Sequence, residues 1–202
     1  NLLPSELTLV GVFGLRDEMR KESLQAVETA RKAGIQVVMI TGDAKDTAQA
    51  IAKEVGILET EKGLILTSTQ LGEFSDQEIK NILPDLRVVA RALPTDKSRL
   101  VKLAKSMDWV VGMTGDGVND APAVKNADVG FSMGNGTDMT KESSDIVILD
   151  NNFNSLTNAV RYGRTLLKSI RKFLIFQLTV NVAAVLVAFL GPFFGTDLPL
   201  TM

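Results

Sequence analysis

Short apolar runs alternate with segments of helical spacing up to about residue 150. The apolar runs are rich in Val and Ile, and the segments between them carry apolar residues every three or four positions, as an α-helix does. Strands that alternate with helices predict a Rossmann-like α/β fold, in which helices cover both faces of a parallel sheet. Residues 59–85 are less regular and are expected to be peripheral. The predicted strands are residues 7–15, 36–41, 86–91, 109–114, 128–133 and 145–149, and the predicted helices are residues 21–33, 46–55, 95–107 and 121–127, with a short one near 140–144.

The end of the chain has a different pattern, because residues 173–191 form a run of 19 mostly apolar residues. As a helix this run would be about 28 Å long, close to a bilayer core of about 30 Å. A buried core helix is the alternative. Residues 155–172 hold five cations and no acid, which favours a membrane span and predicts that this end, with the sheet domain, faces the cytosol. The segment has no proline, so one helix should continue into the span.

The composition limits the chemistry that this chain can carry out. It has 22 Lys+Arg against 24 Asp+Glu, which gives no reason to expect a nucleic acid as partner. It has no Cys and no His, so thiolate nucleophiles, imidazole metal ligands and a Ser-His-Asp triad are excluded within this chain. Carboxylates, amides, hydroxyls and basic side chains remain, and these suit hard cations and phosphate groups.

The tripeptide Thr-Gly-Asp occurs twice, each time where a predicted strand ends: at Thr41, Gly42 and Asp43, and again within "GMTGDGVNDAP" at residues 112–122. Ligands of open parallel sheets bind at this edge. One copy alone would more simply be a turn in which the aspartate caps a helix. Two copies, with the longer string after the second, instead indicate a site for magnesium and phosphate.

Three side chains of the second copy have suitable chemistry for such a site. Asp116 is placed to hold a hard cation, and Asp120 can support it directly or through water. Asn119 can donate an amide hydrogen bond to a phosphoryl oxygen. Lys97 and Arg91 would each be ordinary solvated cations in isolation, but their places upstream of this carboxylate site make phosphate contacts plausible. Lys102 and Lys105 are interpreted as a solvated helix face.

Within the apolar run, a stripe of small and polar residues recurs at helical spacing: Gln177, Asn181, Ala184 or Val185, Ala188 and Gly191. Small residues favour close packing between membrane helices. Polar groups inside a membrane are costly and often functional, so an ion path is the alternative. For Gln177 both explanations stay open, whereas Asn181 is expected to be functional.

Four strings together resemble P-type cation-transporting ATPases, which belong to the haloacid-dehalogenase-like superfamily. The strings are "MITGD", "ARALPTDKSRLV", "MTGDGVNDAPAVKNADVGF" and "MGNGTDMTKESSDIVILDNNF", in the order of the family. The resemblance implies an ATP-driven ion pump that needs Mg²⁺ and forms an aspartyl-phosphate. It also implies four regions: the C-terminal part of a cytosolic phosphorylation domain (1–154), a basic stalk helix (155–172), a transmembrane helix (173–191) and an extracytosolic loop (192–202).

The resemblance assigns roles to the residues already selected. Asp116 would be the magnesium ligand, with Asp120 in support. Lys97 would neutralise the transferred phosphoryl group, and Asn119 and Arg91 would be further phosphate or nucleotide contacts. Thr41, Gly42 and Asp43 would contact the nucleotide and the phosphoryl region. Positioning and charge stabilisation are the main demands of phosphoryl transfer, which suits this set.

The apolar stretch resembles the fifth membrane helix of calcium pumps, most closely the plasma-membrane type. Asn181 matches a cation-site asparagine, and Ala184 stands where two-site reticulum calcium pumps carry a glutamate. The resemblance therefore implies Ca²⁺ as the transported cation, with one site, and the lipid bilayer as a partner. Manganese is a further candidate cation.

The family's phosphorylated aspartate lies in a DKTGT motif, which these 202 residues do not contain. The resemblance therefore implies a piece of a pump that lacks the central strand with the nucleophile and works with the remaining pump domains. Residues 36–41 and 109–114 would then face each other across a gap or pair directly. Two alternatives are a soluble phosphatase of the same superfamily and a non-catalytic phosphate-binding module tethered to a membrane.

Overall fold

The computed structural model describes residues 8, 10–11, 21–58 and 63–195. It divides the chain into two compact units, Asn1–Asp96 and Lys97–Met202. Among the described residues, each unit has its own sheet of three parallel strands. The predicted strand at residues 7–15 lies mostly outside the described residues, as does the end of the predicted loop, from residue 196. The prediction of a parallel α/β fold is confirmed.

The first unit has the sheet order β1-β3-β2. Its core packs α2 against the sheet through Ala48, Ala52 and Val88. Helices α1 and α2 are each followed by a glycine with positive φ, Gly34 at 74° and Gly56 at 77°, as the sequence predicts for helix ends. The elements are α1 (Lys21–Lys32), β1 (Met39–Ile40), α2 (Lys45–Glu54), β2 (Leu64–Thr67), α3 (Ser68–Glu73), α4 (Asp76–Ile82) and β3 (Leu86–Ala90).

The expectation that residues 59–85 are less regular is wrong for the described part, residues 63–85. This segment holds β2, α3 and α4, and β2 pairs with β3 along its whole length. Both helices begin with reciprocal capping boxes, at Thr67 with Gln70 and at Ser75 with Glu78. The Ser/Thr-x-x-Glu/Gln pattern is visible in the sequence and indicates the start of a helix. The helices were missed because each is too short to show a helical period.

Strand β1 is shorter than the predicted strand at residues 36–41. The Gln36 side-chain amide donates to the carbonyl oxygens of Leu83 and Leu86 at 2.9 and 2.8 Å. A side chain thus binds the carbonyl groups just before and at the start of β3, and the backbone ladder begins only at Met39, opposite Val88. Only the end of the predicted strand is therefore paired, and this is the end that carries Thr41.

The second unit has the sheet order β4-β5-β6. Strand β4 begins later than predicted, because Val111 donates its N–H to the Asp128 carboxylate at 2.9 Å instead of to a strand. That N–H, together with the Lys105 ammonium at 3.1 Å, lowers the pKa of Asp128. The elements are α5 (Pro94–Lys105), β4 (Gly112–Gly115), α6 (Ala121–Asn126), β5 (Val129–Met133), α7 (Asp138–Glu142), β6 (Ile146–Ile148) and α8 (Phe153–Leu190).

Helix α8 runs without interruption for 38 residues, which confirms that one helix joins the basic segment to the apolar run. Asn152 caps its start by accepting the N–H of Asn154 at 2.9 Å. Its apolar side chains from Phe173 to Leu190 are mostly exposed. Of the helices in the described part of the chain, α8 with the short turn after it is the one that is long and apolar enough to cross a membrane.

Candidate phosphate and magnesium site

The first Thr-Gly-Asp turn follows β1 directly and is closed by its own side chains. Thr41 Oγ1 donates to Asp43 Oδ2 at 2.7 Å, and Asp43 N–H donates back to Thr41 Oγ1 at 3.2 Å. Gly42 and Asp43 are exposed, and α2 starts two residues later without a side-chain cap at Ala44. The turn therefore presents a hydroxyl, a carboxylate and the free N–H groups of a helix start to solvent.

Arg91 lies beside this turn through its backbone. Its N–H donates to Asp43 O at 2.9 Å, and the N–H of Ala92 donates to Thr41 O at 2.9 Å. Arg91 has φ of 50°, a left-handed conformation that a residue with a Cβ adopts at a cost of about 1–2 kcal/mol. Such strain is often held at functional sites. The structure thus brings Thr41, Gly42, Asp43 and Arg91 together at the end of neighbouring strands.

In the second unit, the two aspartates of the longer string have opposite environments. Asp116 is exposed, and among the described residues its carboxylate has no hydrogen bond or ion pair. Asp120 is buried, with 7% of its surface exposed. Its Oδ2 lies 3.4 Å from the Asp116 N–H, a long and weak contact. Asp116 is thus the carboxylate that is available to a ligand.

Lys97 and Asp120 form an ion pair inside this unit. Lys97 Nζ lies 2.6 Å from Asp120 Oδ1, and their side chains are 17% and 10% exposed. Gly115 makes room for the pair, because a Cβ at that position would clash with the Asp120 side chain. Both residues are candidate phosphate or magnesium contacts from the sequence, but the sequence does not predict that they contact each other. The pair holds a lysine ammonium close to the Asp116 turn.

The residues that support the Asp116 backbone were not selected from the sequence. The Thr137 N–H donates to Asp116 O at 2.9 Å, and Thr140 Oγ1 donates to Gly117 O at 2.8 Å. Gly136 packs so closely that a Cβ there would lie 3.2 Å from Asp116 O. These residues belong to the string "MGNGTDMTK", which carried the family resemblance. Its polar residues gave no indication of which backbone groups they would bind.

Asn119 is exposed on the helical turn Val118–Asp120, between Asp116 and α6. The selected residues therefore form two groups, one in each unit. No cluster of three or more acidic side chains that could bind a metal occurs in the described ranges. The available protein ligand is the Asp116 carboxylate, which suits a hard cation that takes its other ligands from water and phosphate, as Mg²⁺ does.

Asn181 lies on α8, one turn beyond Gln177, and both are exposed. Gln177 Nε2 lies 3.4 Å from Asn181 Oδ1, which is long for a hydrogen bond. Their amide groups share one face of the helix, as the i, i+4 spacing requires. This face is the small, polar stripe that the sequence indicates.

Comparison with known protein families gives two matches. Models of haloacid dehalogenase-like hydrolases match residues 2–128 and residues 99–160. The first covers the TGD turn of the first unit and the whole Asp116 turn. The second runs from within α5 to the first turns of α8.

Curated relatives are calcium-transporting ATPases. The chain is 47% identical over 196 residues to calcium-transporting ATPase 3, plasma membrane-type, of Oryza sativa subsp. japonica, and 46% identical over 200 residues to calcium-transporting ATPase 12, plasma membrane-type, of Arabidopsis thaliana. It is 50% identical over 188 residues to the calcium-transporting ATPase PAT1 of Dictyostelium discoideum. These matches cover 96%, 96% and 93% of this chain, which spans only 19%, 19% and 17% of those proteins.

The solved structures that match this chain are also ATPases. The chain matches a zinc-transporting PIB-type ATPase in its E2.Pi state with a TM-score of 0.68 and 27% identity, over 87% of this chain and 24% of that one. The catalytic domain of the CPx-ATPase CopB-B matches with a TM-score of 0.52 and 27% identity, over 68% of this chain and 44% of that one. The predicted resemblance to cation-transporting ATPases is confirmed.

Proposed function

Because the chain belongs to the haloacid dehalogenase-like hydrolase family, we propose that it forms part of an ATP-driven pump that transports Ca²⁺ through an aspartyl-phosphate intermediate. The names of the curated relatives support Ca²⁺ as the cation and, for the plant proteins, the plasma membrane. The chain spans about a fifth of those proteins, so its working partners would be the remaining pump domains. The observation that carries the proposal is the exposed Asp116, whose carboxylate has no partner among the described residues, beside the Lys97–Asp120 pair. Together these groups suit a metal and a phosphoryl group.

Asp116 would hold Mg²⁺, which neutralises phosphate charge when it is bound. The fit rests on the chemistry of the donors: Asp116 offers only hard oxygen ligands, and its carboxylate has no competing partner among the described residues. Asp120 is occupied by Lys97, so its support would act by fixing the turn and the lysine, or through water. Asn119, exposed on the same turn, would donate its amide to a phosphoryl oxygen.

Lys97 would neutralise charge on the transferred phosphoryl group. Its ammonium has three donors, and the contact with Asp120 uses only one of them. The partial burial of the pair lowers the local dielectric and strengthens the interaction of the ammonium with an incoming anion. The fixed position means that little reorganisation is required when phosphate arrives.

The first unit would contribute the nucleotide and phosphate contacts Thr41, Gly42, Asp43 and Arg91. Their backbones are joined by the hydrogen bonds from Arg91 to Asp43 and from Ala92 to Thr41. Gly42 is exposed, and the position that a Cβ would take there is open, so a ligand can approach the backbone from that side. The uncapped N-terminus of α2 adds N–H groups that favour phosphate.

The nucleophile would lie in another segment of the pump, since the chain contains no DKTGT string. Among the described strands, β1 pairs only with β3 and β4 only with β5, so each leaves one edge where a further strand could add. A strand from another segment of the pump could pair at such an edge. The isolated chain would then be poorly stable and would not hydrolyse ATP.

Residues 1–154 would be the cytosolic phosphorylation region, 155–172 the stalk, 173–191 the membrane span and 192–202 an extracytosolic loop. The continuous helix α8 and its mostly exposed apolar surface support the span. The five cations that precede the apolar run support a cytosolic orientation. Asn181, near the middle of the span, would be a ligand of the transported cation.

The test is phosphoenzyme formation from labelled ATP by the full-length protein in membrane vesicles. We expect acid-stable phosphoprotein that needs both Mg²⁺ and Ca²⁺, together with ATP-driven Ca²⁺ uptake. Asp116→Asn should nearly abolish the phosphoprotein, because it removes the charge that faces the metal. Mg²⁺-dependent ATP hydrolysis by the 202-residue chain alone in detergent would instead contradict the placement of the nucleophile outside this chain.

A further inference from the structure

The backbone that follows Asp116 is held by the first turn of α7. The Thr137 N–H donates to Asp116 O at 2.9 Å, and Thr140 Oγ1 donates to Gly117 O at 2.8 Å. These are two consecutive carbonyl groups, so the peptide units on both sides of Gly117 are restrained. Glycine is the residue whose backbone is otherwise most free to rotate. The restraint therefore lies where the turn would be most mobile.

Thr140 and Thr137 have one hydroxyl proton each, and this fixes which group donates in each of their hydrogen bonds. Thr140 is fully buried, and its single hydroxyl proton goes to Gly117 O. The Thr137 hydroxyl lies 2.8 Å from Thr140 Oγ1 and must therefore be the donor of that bond. The Thr137 oxygen in turn faces the Thr140 N–H at 3.4 Å, as the cap of α7. Removal of the Thr140 hydroxyl would take away the donor that binds Gly117 O and the acceptor that binds the Thr137 hydroxyl proton.

We propose that Thr140 is a positioning residue for Asp116: its hydroxyl holds the Gly117 peptide so that the exposed Asp116 carboxylate is aimed at one place. This inference rests on the proposed role of Asp116 as the magnesium ligand. The Thr140 hydroxyl donates to Gly117 O and not to Asp116, so the effect is carried by the backbone. Groups that orient a metal ligand typically change metal affinity by about 10- to 100-fold when they are removed.

A purely structural role would give a different result. If Thr140 only anchored α7, its loss would lower the amount of folded protein but leave the Mg²⁺ requirement of the surviving molecules unchanged. If it positions Asp116, the Mg²⁺ concentration for half-maximal phosphoenzyme formation should rise, while the half-saturating concentration of ATP changes little. A rise in the half-saturating Mg²⁺ concentration relative to that of ATP therefore distinguishes a positioning role from a purely structural one.

The experiment uses the full-length protein in membranes, with Mg²⁺ as the probe. The variants are Thr140→Val, which keeps the shape and removes the hydroxyl, Thr140→Ser, which keeps the hydroxyl, and Thr157→Val as control. Thr157 is also a buried threonine whose hydroxyl donates to a backbone carbonyl, that of Asn154 at 2.8 Å, but it lies in α8. The readouts are the Mg²⁺ dependence of the melting temperature without ATP and the Mg²⁺ and ATP dependence of phosphoenzyme formation.

We expect Thr140→Val to raise the half-saturating Mg²⁺ concentration by about tenfold in both readouts. Thr140→Ser and Thr157→Val should stay within about twofold of the unchanged protein. If Thr140→Val does not accumulate, Thr140→Ala takes its place with the same expectation. An unchanged Mg²⁺ requirement in the hydroxyl-free variants, or an equal rise in Thr140→Ser, would overturn the proposal. An unchanged Mg²⁺ requirement in Asp116→Asn would instead overturn the proposed function itself.

Discussion

Lys97 Nζ lies 2.6 Å from Asp120 Oδ1, and both side chains are largely buried. The two residues are 23 positions apart in sequence, so the contact joins the start of α5 to the turn that carries Asp116. An ammonium that is held in this way is charged, partly desolvated and fixed in direction. These properties distinguish it from Lys102 of the same helix, which is exposed.

Lys97→Ala should impair phosphoenzyme formation far more than Lys102→Ala. Both changes remove one lysine from the same helix, but Lys102 is exposed, and its side chain has no ion pair among the described residues. Loss of a charge that contacts the phosphoryl group typically costs about 10²–10³ in rate. Rapid-quench measurement of phosphorylation by the two variants tests this. Equal effects would mean that Lys97 does not contact the phosphoryl group.

Asp116→Ala and Asp120→Ala should separate ligand binding from stability. Asp120→Ala leaves the Lys97 ammonium buried without its partner, which should lower the free energy of unfolding by about 3 kcal/mol, the lower end for buried pairs, since both side chains keep some exposure. Asp116→Ala removes an exposed carboxylate and should leave stability nearly unchanged while phosphorylation is lost. Thermal unfolding and phosphoenzyme levels are measured on both variants. A large destabilisation by Asp116→Ala would show that it is a structural residue.

Much of this arrangement follows from local sequence signals, and the rest depends on tertiary contacts. The helix caps at Gly34 and Gly56, the unbroken helix α8 and the position of both TGD turns at strand ends can each be predicted from neighbouring residues. The Lys97–Asp120 pair and the Thr140 hydroxyl cannot, because their partners are 23 residues away along the chain. Even the exposed state of Asp116 and the buried state of Asp120 depend on which residues pack around Gly115. Residue type therefore predicts the kind of chemistry, and packing decides which carboxylate is available.

Arg91→Asn and Arg91→Val should distinguish the backbone role of Arg91 from the role of its side chain. Both variants lack the guanidinium, so both should raise the ATP concentration that half-saturates phosphorylation. Asparagine tolerates the left-handed conformation seen at Arg91, whereas a β-branched residue does not. Only Arg91→Val should therefore also reduce the yield of folded protein, which size-exclusion profiles report. If Arg91→Asn keeps the ATP requirement of the unchanged protein, the guanidinium makes no nucleotide contact.

The lowered pKa of Asp128 predicts a local pH dependence. The Val111 N–H and Lys105 stabilise the carboxylate of the folded protein. Its contribution to stability is therefore complete above the unfolded pKa of about 3.9 and is lost as the pH falls through the lower, folded value. Hydrogen exchange at Val111 should be faster in Asp128→Asn than in the unchanged protein at pH 6, and the difference should disappear in strong acid. A difference that persists below both pKa values would exclude the carboxylate charge as its cause.

Asn181→Ala should weaken Ca²⁺-dependent phosphorylation while the protein still inserts into the membrane. A carboxamide near the middle of a span is costly unless it binds another group. Among the described residues, the one side-chain contact of the Asn181 amide is with Gln177 Nε2, at a long 3.4 Å. Thr179→Ala provides the control, because Thr179 lies on a different face, where its hydroxyl donates to Ile175 O at 2.8 Å within the helix. The Ca²⁺ concentration for half-maximal phosphorylation should rise in Asn181→Ala and stay constant in Thr179→Ala. Because Ala184 offers no ligand oxygen on its side chain, one Ca²⁺ should be transported per ATP, and a measured ratio of two would contradict a single site.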